Sequence, residues 1–227
     1  MRNKIYSKWL QTHAWDVTAK EAVAIQQSLR EQLLLEDSFE PPEVVAGVDA
    51  GFPGDGNTIR AAVATLKFPS LEWLSSSVIH KPVLFPYIPG LLSFREVPAV
   101  LHALANLERL PDMILCDGQG YAHPRRLGIA CHLGLITDIP TIGVGKTRLC
   151  GTHAEVPNEK GSWVSLEDKG EVIGAVLRTR QGVAPIYVSA GHKISLNSAI
   201  HYVMACVTRY KLPETTRAAH RLASGPA

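Results

Sequence analysis

Two aspartates stand at the ends of runs that are otherwise apolar. Asp49 follows Val44-Val-Ala-Gly-Val48, and Asp117 follows Met113-Ile-Leu-Cys116. A carboxylate in such a setting is costly unless it is paired, hydrogen-bonded or bound to a cation. A turn cap accounts for one such residue taken alone. Two of them, each at the carboxyl end of a buried-looking strand, are better explained by a shared cation, because ligand crevices in open α/β sheets form at those ends. Carboxylate oxygens are hard ligands and suit Mg²⁺, which keeps several waters and bridges to substrate phosphates.

Three further segments carry chemistry. Asp117-Gly-Gln-Gly-Tyr-Ala-His-Pro-Arg-Arg126 is the densest polar stretch. Gly118 and Gly120 let backbone amides approach a base or phosphate. His123 can move a proton near neutral pH, and Arg125 and Arg126 can meet phosphate. The bland alternative is a strand-to-helix loop whose Pro124 opens the next helix. Pro86-Tyr-Ile-Pro-Gly90 is a stiff loop that presents Tyr87 and Ile88 between Pro86 and Pro89. Such a loop serves as a wedge in enzymes that extrude a base, or packs its aromatic ring on the core. Ser93-Phe-Arg-Glu96 reads as a helix capping box, which by itself explains Glu96. Gly143-Val-Gly-Lys-Thr147 imitates a nucleotide-binding loop, but Pro140 occupies the place of its first glycine and Arg148-Leu-Cys-Gly-Thr152 is a poor helix start. Lys146 is left as a solitary cation after a strand, able to meet a phosphate.

The elements that must position these groups follow from periodicity. Thr18-Ala-Lys-Glu21 is a capping box ahead of apolar Ala22, Ile25, Leu29 and Leu33, so a helix starts at Thr18. Strands are expected at Val44–Ala50, Ile59–Phe68 and Leu71–Ile79, joined by short Gly/Pro/Asp spacers as an antiparallel meander. Alternation then takes over. A helix is expected over Ser93–Leu110, a strand at Met113–Cys116, a helix within 125–137 and a strand at Thr141–Val144. Two more strands lie near 172–179 and 184–189, before a helix from Ser195 to about Tyr210. A meander followed by β-α-β-α alternation predicts an α/β fold with a mixed sheet flanked by helices, in a ribonuclease H-like arrangement.

With 227 residues, 46% of them hydrophobic, the chain suffices for one domain over 1–227. No run of about 18 apolar residues reads as a membrane span, and the N-terminus lacks the apolar stretch of a secretory signal. Cys116, Cys131, Cys150 and Cys206 are scattered without a Cys-x-x-Cys pair, which points away from zinc and toward a reducing, cytoplasmic setting. A net charge of +2 excludes binding of nucleic acid by bulk charge. A local basic groove drawn from Arg125-Arg126, Lys146 with Arg148, and Arg217 with Arg221 is compatible with it, as is ordinary solvated charge.

Taken in order, these segments resemble the endonuclease V family. The likeness rests on Val45-Ala-Gly-Val-Asp49, Phe85-Pro-Tyr-Ile-Pro-Gly90 with Leu92-Ser-Phe-Arg-Glu96, Asp117-Gly-Gln-Gly120 with Ala122-His-Pro-Arg125, Leu127-Gly-Ile-Ala130, Pro140-Thr-Ile-Gly143, Lys146, Arg148-Leu149 and Pro213-Glu214, and covers roughly 15–222. It implies a ribonuclease H-like fold and a Mg²⁺-dependent nuclease, with Mn²⁺ as substitute. The implied substrate is DNA holding deoxyinosine or other deaminated bases, cut at the second phosphodiester 3′ to the lesion to leave a 3′-hydroxyl and a 5′-phosphate. It implies Asp49, Glu96 and Asp117 as metal ligands, Lys146 at the scissile phosphate, His220 near the metal and Asp112 in support. Tyr87, with Ile88, Pro89 and Gly90, would form the wedge, and Gly118, Gly120, His123 and Arg125 would line the lesion pocket. A monomer is expected. Thr215 stands where relatives usually have proline, and Gly145 where alanine is usual, departures that bear on the placing of His220 and Lys146. Cutting of inosine in RNA, and a non-cutting binder of nucleic acid, are the alternative readings.

Overall fold

The computed structural model describes residues 2–225. Among these, helices α1 (Arg2–Leu10) and α2 (Ala19–Arg30) precede a meander of β1 (Val44–Gly51), β2 (Thr58–Lys67) and β3 (Trp73–Pro82). Then come α3 (Leu92–Ala105), β4 (Met113–Asp117), α4 (Ile129–Thr137), β5 (Thr141–Gly145), β6 (Trp163–Asp168), β7 (Glu171–Leu177), β8 (Ile186–His192), α5 (Leu196–Ala205) and α6 (Glu214–Ser224). The strands form one sheet in the order β3-β2-β1-β4-β5-β8-β7-β6. β1, β4 and β5 run parallel at its centre, and antiparallel strands complete both sides. This is the mixed, helix-flanked α/β sheet expected from the sequence, and its order is that of a ribonuclease H-like domain.

Strand alternation decides which residue faces which layer. Ala46 and Val48 of β1, with Ile114 and Cys116 of β4, pack under α3 and α4 around Val97, Leu101, Leu104 and Leu133. Their neighbours Val45, Met113 and Leu115 point to the other side and pack with Ile142, Val188, Ala199 and Val203, beneath α5. Asp49 and Asp117 continue this second, odd-numbered series. The pairing of Val48 with Cys116 sets them side by side at the carboxyl ends of parallel strands.

Helix α6 lies along the same face of β1. A Cβ on Gly47 would sit 1.9 Å from the Thr215 carbonyl oxygen, and one on Gly51 would sit 2.5 Å from that of Ala223. The two backbones are therefore in direct contact, and the helix buries only small residues, among them Thr215, Ala218, Ala219 and Ala223. Its alanines alternate with Arg217, His220 and Arg221 at helical spacing, so the helix itself is written in the sequence although its buried stripe lacks large apolar side chains. Thr215, where proline is usual, is fully buried inside an unbroken helix. Helix α1 and edge strand β6, half exposed along its length, were also not foreseen.

The capping box at Thr18 forms in full, with Glu21 returning to the Thr18 backbone at 2.8 Å. The one expected at Ser93 does not. Leu91 caps α3 with no side-chain bond, and Ser93 Oγ instead meets His132 Nδ1 at 2.9 Å. Pro124 does not open α4, which begins at Ile129 behind Gly128. The helices expected to reach Leu110 and Tyr210 end at Ala105 and Ala205.

Replacing Gly47 by alanine would force α6 off β1. The expected loss is about 2–3 kcal/mol, the scale of overpacking in a close-packed interior, with His220 displaced as well. Chemical denaturation of Gly47→Ala checks this; parental stability would show that the contact yields freely.

Candidate active site

Three carboxylates meet where β1 and β4 end. Asp49 and Asp117 arrive from the strands, and Glu96 arrives from the first turns of α3 on the opposite face. Glu96 is only 8% exposed. Burial, reinforced by the charges of Asp49 and Asp117, pushes its carboxyl up to about 8. Asp49 is raised for the same reasons, burial first and Asp117 second, and is partly relieved by His220. Like charges crowded into a low-dielectric pocket hold protons unless a cation neutralises them.

The groups around them supply what the acids lack. His220 Nδ1 lies 2.7 Å from Asp49 Oδ2, and Ala50 N–H donates to Asp49 Oδ1 at 2.8 Å. Lys146, just past β5, places Nζ 2.6 Å from Asp117 Oδ2. Ligand atoms of Asp49, Asp117 and His220 lie within 4.8 Å of one another, a spacing that one cation could span. Glu96 is not in that trio, but its raised carboxyl is the electrostatic mark of the same cluster. Carboxylate oxygens with one imidazole suit a divalent cation of the Mg²⁺ or Mn²⁺ type, and no thiolate is present to favour a softer ion.

A cavity opens beside this cluster, lined by Asp117, Gly118, Lys146, Tyr87, Gly90 and His123 among others. Tyr87 is 67% exposed at its mouth, so it does not pack on the core. Ile88 leans against Phe85, Leu91 and Phe94 and anchors the loop. The cavity's rear wall is held by a single oxygen. Gly90 O accepts from Gln26 Nε2 at 3.0 Å, from Arg125 Nη2 at 2.6 Å and from His123 Nε2 at 3.0 Å. His123 Nδ1 takes the Arg125 amide, which fixes the tautomer with its proton on Nε2. Burial and the neighbouring arginines drive His123 down to about 4. It is therefore neutral at pH 7 and does not exchange protons there, contrary to the expectation from its residue type.

Other expectations are corrected by position. Arg126 is buried and committed to Asp168 and Glu171 at 2.9 and 2.7 Å, so it is not held for phosphate. Arg125 is likewise spent on Gln26 and Gly90. Arg217 pairs with Glu214. Asp112 lies before β4, at the opposite end of the strand from Asp117. There it accepts the amides of Glu43 and Val44 at 3.0 and 2.9 Å, so any support it gives is to the start of β1. Gly120 leaves no room for a side chain, since a Cβ would lie 2.3 Å from the Ala190 carbonyl oxygen.

Two residues escaped the sequence reading. Gln26 is a buried polar group on an amphipathic helix, legible only once the loop it holds is in place. Gln119 donates to the Thr147 carbonyl at 2.9 Å and so ties the glycine loop to the segment bearing Lys146. Its carboxamide occupies the space that a Cβ at Gly145 would need, 2.2 Å from Nε2, which gives a reason for glycine there.

Comparison with known proteins gives the family and the fold. The family model "Endonuclease V" matches residues 27–221. The endonuclease V of Nostoc sp. is 59% identical over 215 residues, 94% of this chain and 97% of that protein. The crystal structure of endonuclease V from Streptomyces avermitilis has a TM-score of 0.89 at 39% identity, covering 93% of each chain. That of Ciona intestinalis endonuclease V, in complex with DNA containing an inosine followed by a ribo-adenosine, has a TM-score of 0.80 at 26% identity, covering 92% of this chain and 97% of that one.

The Glu96 carboxyl has a testable consequence. Its unfolded value is 4.5 and its folded value about 8. Between those values the folded state binds the extra proton, so stability falls as pH rises from about 4.5 toward 8. Melting in EDTA should show that decline as the difference between the parent and Glu96→Gln, because raised Asp49 and the buried, lowered histidines contribute to both profiles. Mg²⁺, by holding the ionised form, should shrink the difference. A Glu96→Gln profile that slopes like the parent's would remove Glu96 as its source.

Proposed function

This chain belongs to the endonuclease V family, and from that membership we propose that it nicks DNA beside deoxyinosine in a Mg²⁺-dependent hydrolysis. The observation that carries the reading is the cluster of buried Glu96 with half-buried Asp49 and Asp117 beside a cavity with an exposed tyrosine at its mouth. Asp49, Glu96 and Asp117 would hold a divalent cation, which would supply charge for the phosphate and the leaving oxygen and lower the pKa of water.

The chain's own residues do the rest. Asp49 and Asp117 present oxygens from rigid strand ends, and His220 orients Asp49. Lys146 stands at the cavity rim and neutralises charge that grows on the scissile phosphate. The extruded base enters the cavity, where Gly118 admits a backbone contact and neutral His123 holds the Gly90 carbonyl in place, while Gly120, its amide given to Ser189 Oγ, packs the loop on β8 instead. Tyr87 fills the gap the base leaves, on a loop that Ile88 anchors. The cut falls at the second phosphodiester 3′ to the lesion, giving a 3′-hydroxyl and a 5′-phosphate. Other deaminated bases and the metal Mn²⁺ fit the same site. A monomer and a cytoplasmic setting suit the reading; among the described residues no helix is long and apolar enough to cross a membrane.

A second reading has one observation in its favour. The Ciona intestinalis complex holds an inosine followed by a ribonucleotide. Inosine-containing RNA is therefore an arm of the experiment: matched DNA, RNA and hybrid oligonucleotides, with Mg²⁺ or EDTA. A non-cutting relative would bind the lesion strand and leave it whole in every arm.

Asp117→Ala should abolish cutting in Mg²⁺ while lesion binding persists. Lys146→Ala should lower the single-turnover rate by about 10²- to 10³-fold, as loss of one electrostatic donor does, with affinity much less affected. Turnover near the parental rate by either variant would sink the assignment. Tyr87→Ala should weaken lesion binding by about 1–3 kcal/mol, the range for base–aromatic stacking, with melting unchanged. Titration of a labelled lesion duplex reads it, and unaltered affinity would remove Tyr87 from the wedge.

A further inference from the structure

The acids have a cavity on one side and, on the other, positive charge that the proposed chemistry does not use. In the order of the sheet the cavity stands at β4 and β5, the aspartates end β1 and β4, and α6 lies over β1 and β2. Two arginines flank the last turn of α6. Arg60 of β2 pairs with Gly51 of β1, two residues past Asp49, so it projects on the same side of the sheet as that carboxylate. Its Nη1 reaches the end of the helix, where a Cβ on Gly225 would lie 2.5 Å away. Arg221 follows His220 on the helix itself and is exposed.

Neither arginine is bonded to the rest of the fold. Among the described residues Arg221 and Arg60 have no hydrogen-bonding or ionic partner, and Arg60 Nε is buried without an acceptor. A buried donor left open is costly, and stability gives no reason to keep it. The arginines nearby differ. Arg217, one turn earlier on α6, is taken up by Glu214 and by the ring of Tyr210, 3.5 Å away. Arg95 is spent on the carbonyls of Phe85 and Gly56 and on the face of Phe52. Apart from one another, Asp49 and Glu96 feel the charges of Asp117, His220 and Arg95. Arg60 and Arg221 are thus not placed to neutralise the acids.

We propose that Arg60 and Arg221 hold backbone phosphates of the cut strand on the 3′ side of the scissile bond. The side follows from the order of the sites. The base sits in the cavity at β4 and β5, and the bond cut lies 3′ to it, over the acids. The strand therefore runs 5′ to 3′ across the sheet from β5 toward β2, and its next phosphates arrive at the last turn of α6. Arginine suits that place, because its planar fork grips two phosphate oxygens at once. Held there and at the cavity, the strand is fixed on both sides of the bond to be cut. This inference rests on the base-extrusion reading above and adds the path of the strand beyond the cut.

Single-turnover cutting of a deoxyinosine strand in Mg²⁺, followed against protein concentration, gives the half-saturating concentration. Arg221→Ala and Arg60→Gln should each raise it about tenfold, the scale of one charge-assisted hydrogen bond. Its logarithmic dependence on salt should become shallower by about one for each arginine lost, a change that lost packing does not produce. Arg221→Lys, which keeps the charge, should keep the parental slope. Trimming the strand reads the side of the cut. With the 3′ flank shortened to one nucleotide past the cut, the substitutions should lose their effect, because the phosphates they act on are gone. Trimming the 5′ flank should leave the effect at full size. Melting is the control for folding, and exposed Arg221 carries the test alone if Arg60→Gln does not fold. A parental salt slope in Arg221→Ala, or an effect that survives 3′ trimming, overturns the proposal. A parental protein that cuts no deoxyinosine strand overturns the proposed function instead.

Discussion

Mutual repulsion among Asp49, Glu96 and Asp117 is the constraint around which the molecule is arranged. Three carboxylates are brought together at the ends of buried strands, and the Glu96 carboxyl is consequently pushed up to about 8. A fold does not assemble such a cluster for stability, because each group would be better solvated alone. What holds it is the scaffold on either side. The parallel pairing of β1 with β4 fixes two of the acids, and α3, wedged on the opposite face by Val97 and Leu101, carries the third. His220 and Lys146 then supply positive charge or hydrogen bonds from α6 and from the end of β5.

The same scaffold explains the unusual closeness of backbones near the site. Helix α6 can deliver His220 to Asp49 only because Gly47 and Gly51 let it settle onto β1 without intervening side chains. The loop after β4 closes on β8 through Gly120 in the same way. Small residues at these contacts set distance, and distance sets the geometry of the acids.

Around the cavity the polar groups are mostly engaged with one another. The Gly90 carbonyl takes three donors, from Gln26, His123 and Arg125. Residues that look on paper like phosphate or proton handlers act here as fasteners for the wedge loop. That rigidity suits a pocket that must tell one base from another, since discrimination depends on polar groups that cannot rotate to accommodate the wrong partner.

The sequence by itself determined a good deal. Apolar runs ending in Asp49 and Asp117 placed both acids at strand ends, the Thr18 capping box started α2, and the motif order indicated the family. These are local signals, written in neighbouring residues and their spacing. Tertiary structure alone decided the rest. Glu96 looked locally like half of a capping box; the family motif pointed to it as a ligand, and the packing of α3 on the sheet places it against the other acids. Arg126 and His123 looked available, until Asp168, Glu171 and the Gly90 carbonyl were brought beside them from distant segments. Helix α6 carries a helical period in its alanines and charges, but its seat backbone to backbone on Gly47 and Gly51 is set by the fold. Gln26 and the His13–His132 pair were silent for a related reason: a buried polar residue has meaning only through its partner, and partners 64 and 119 positions away are set by the fold, not by the local sequence.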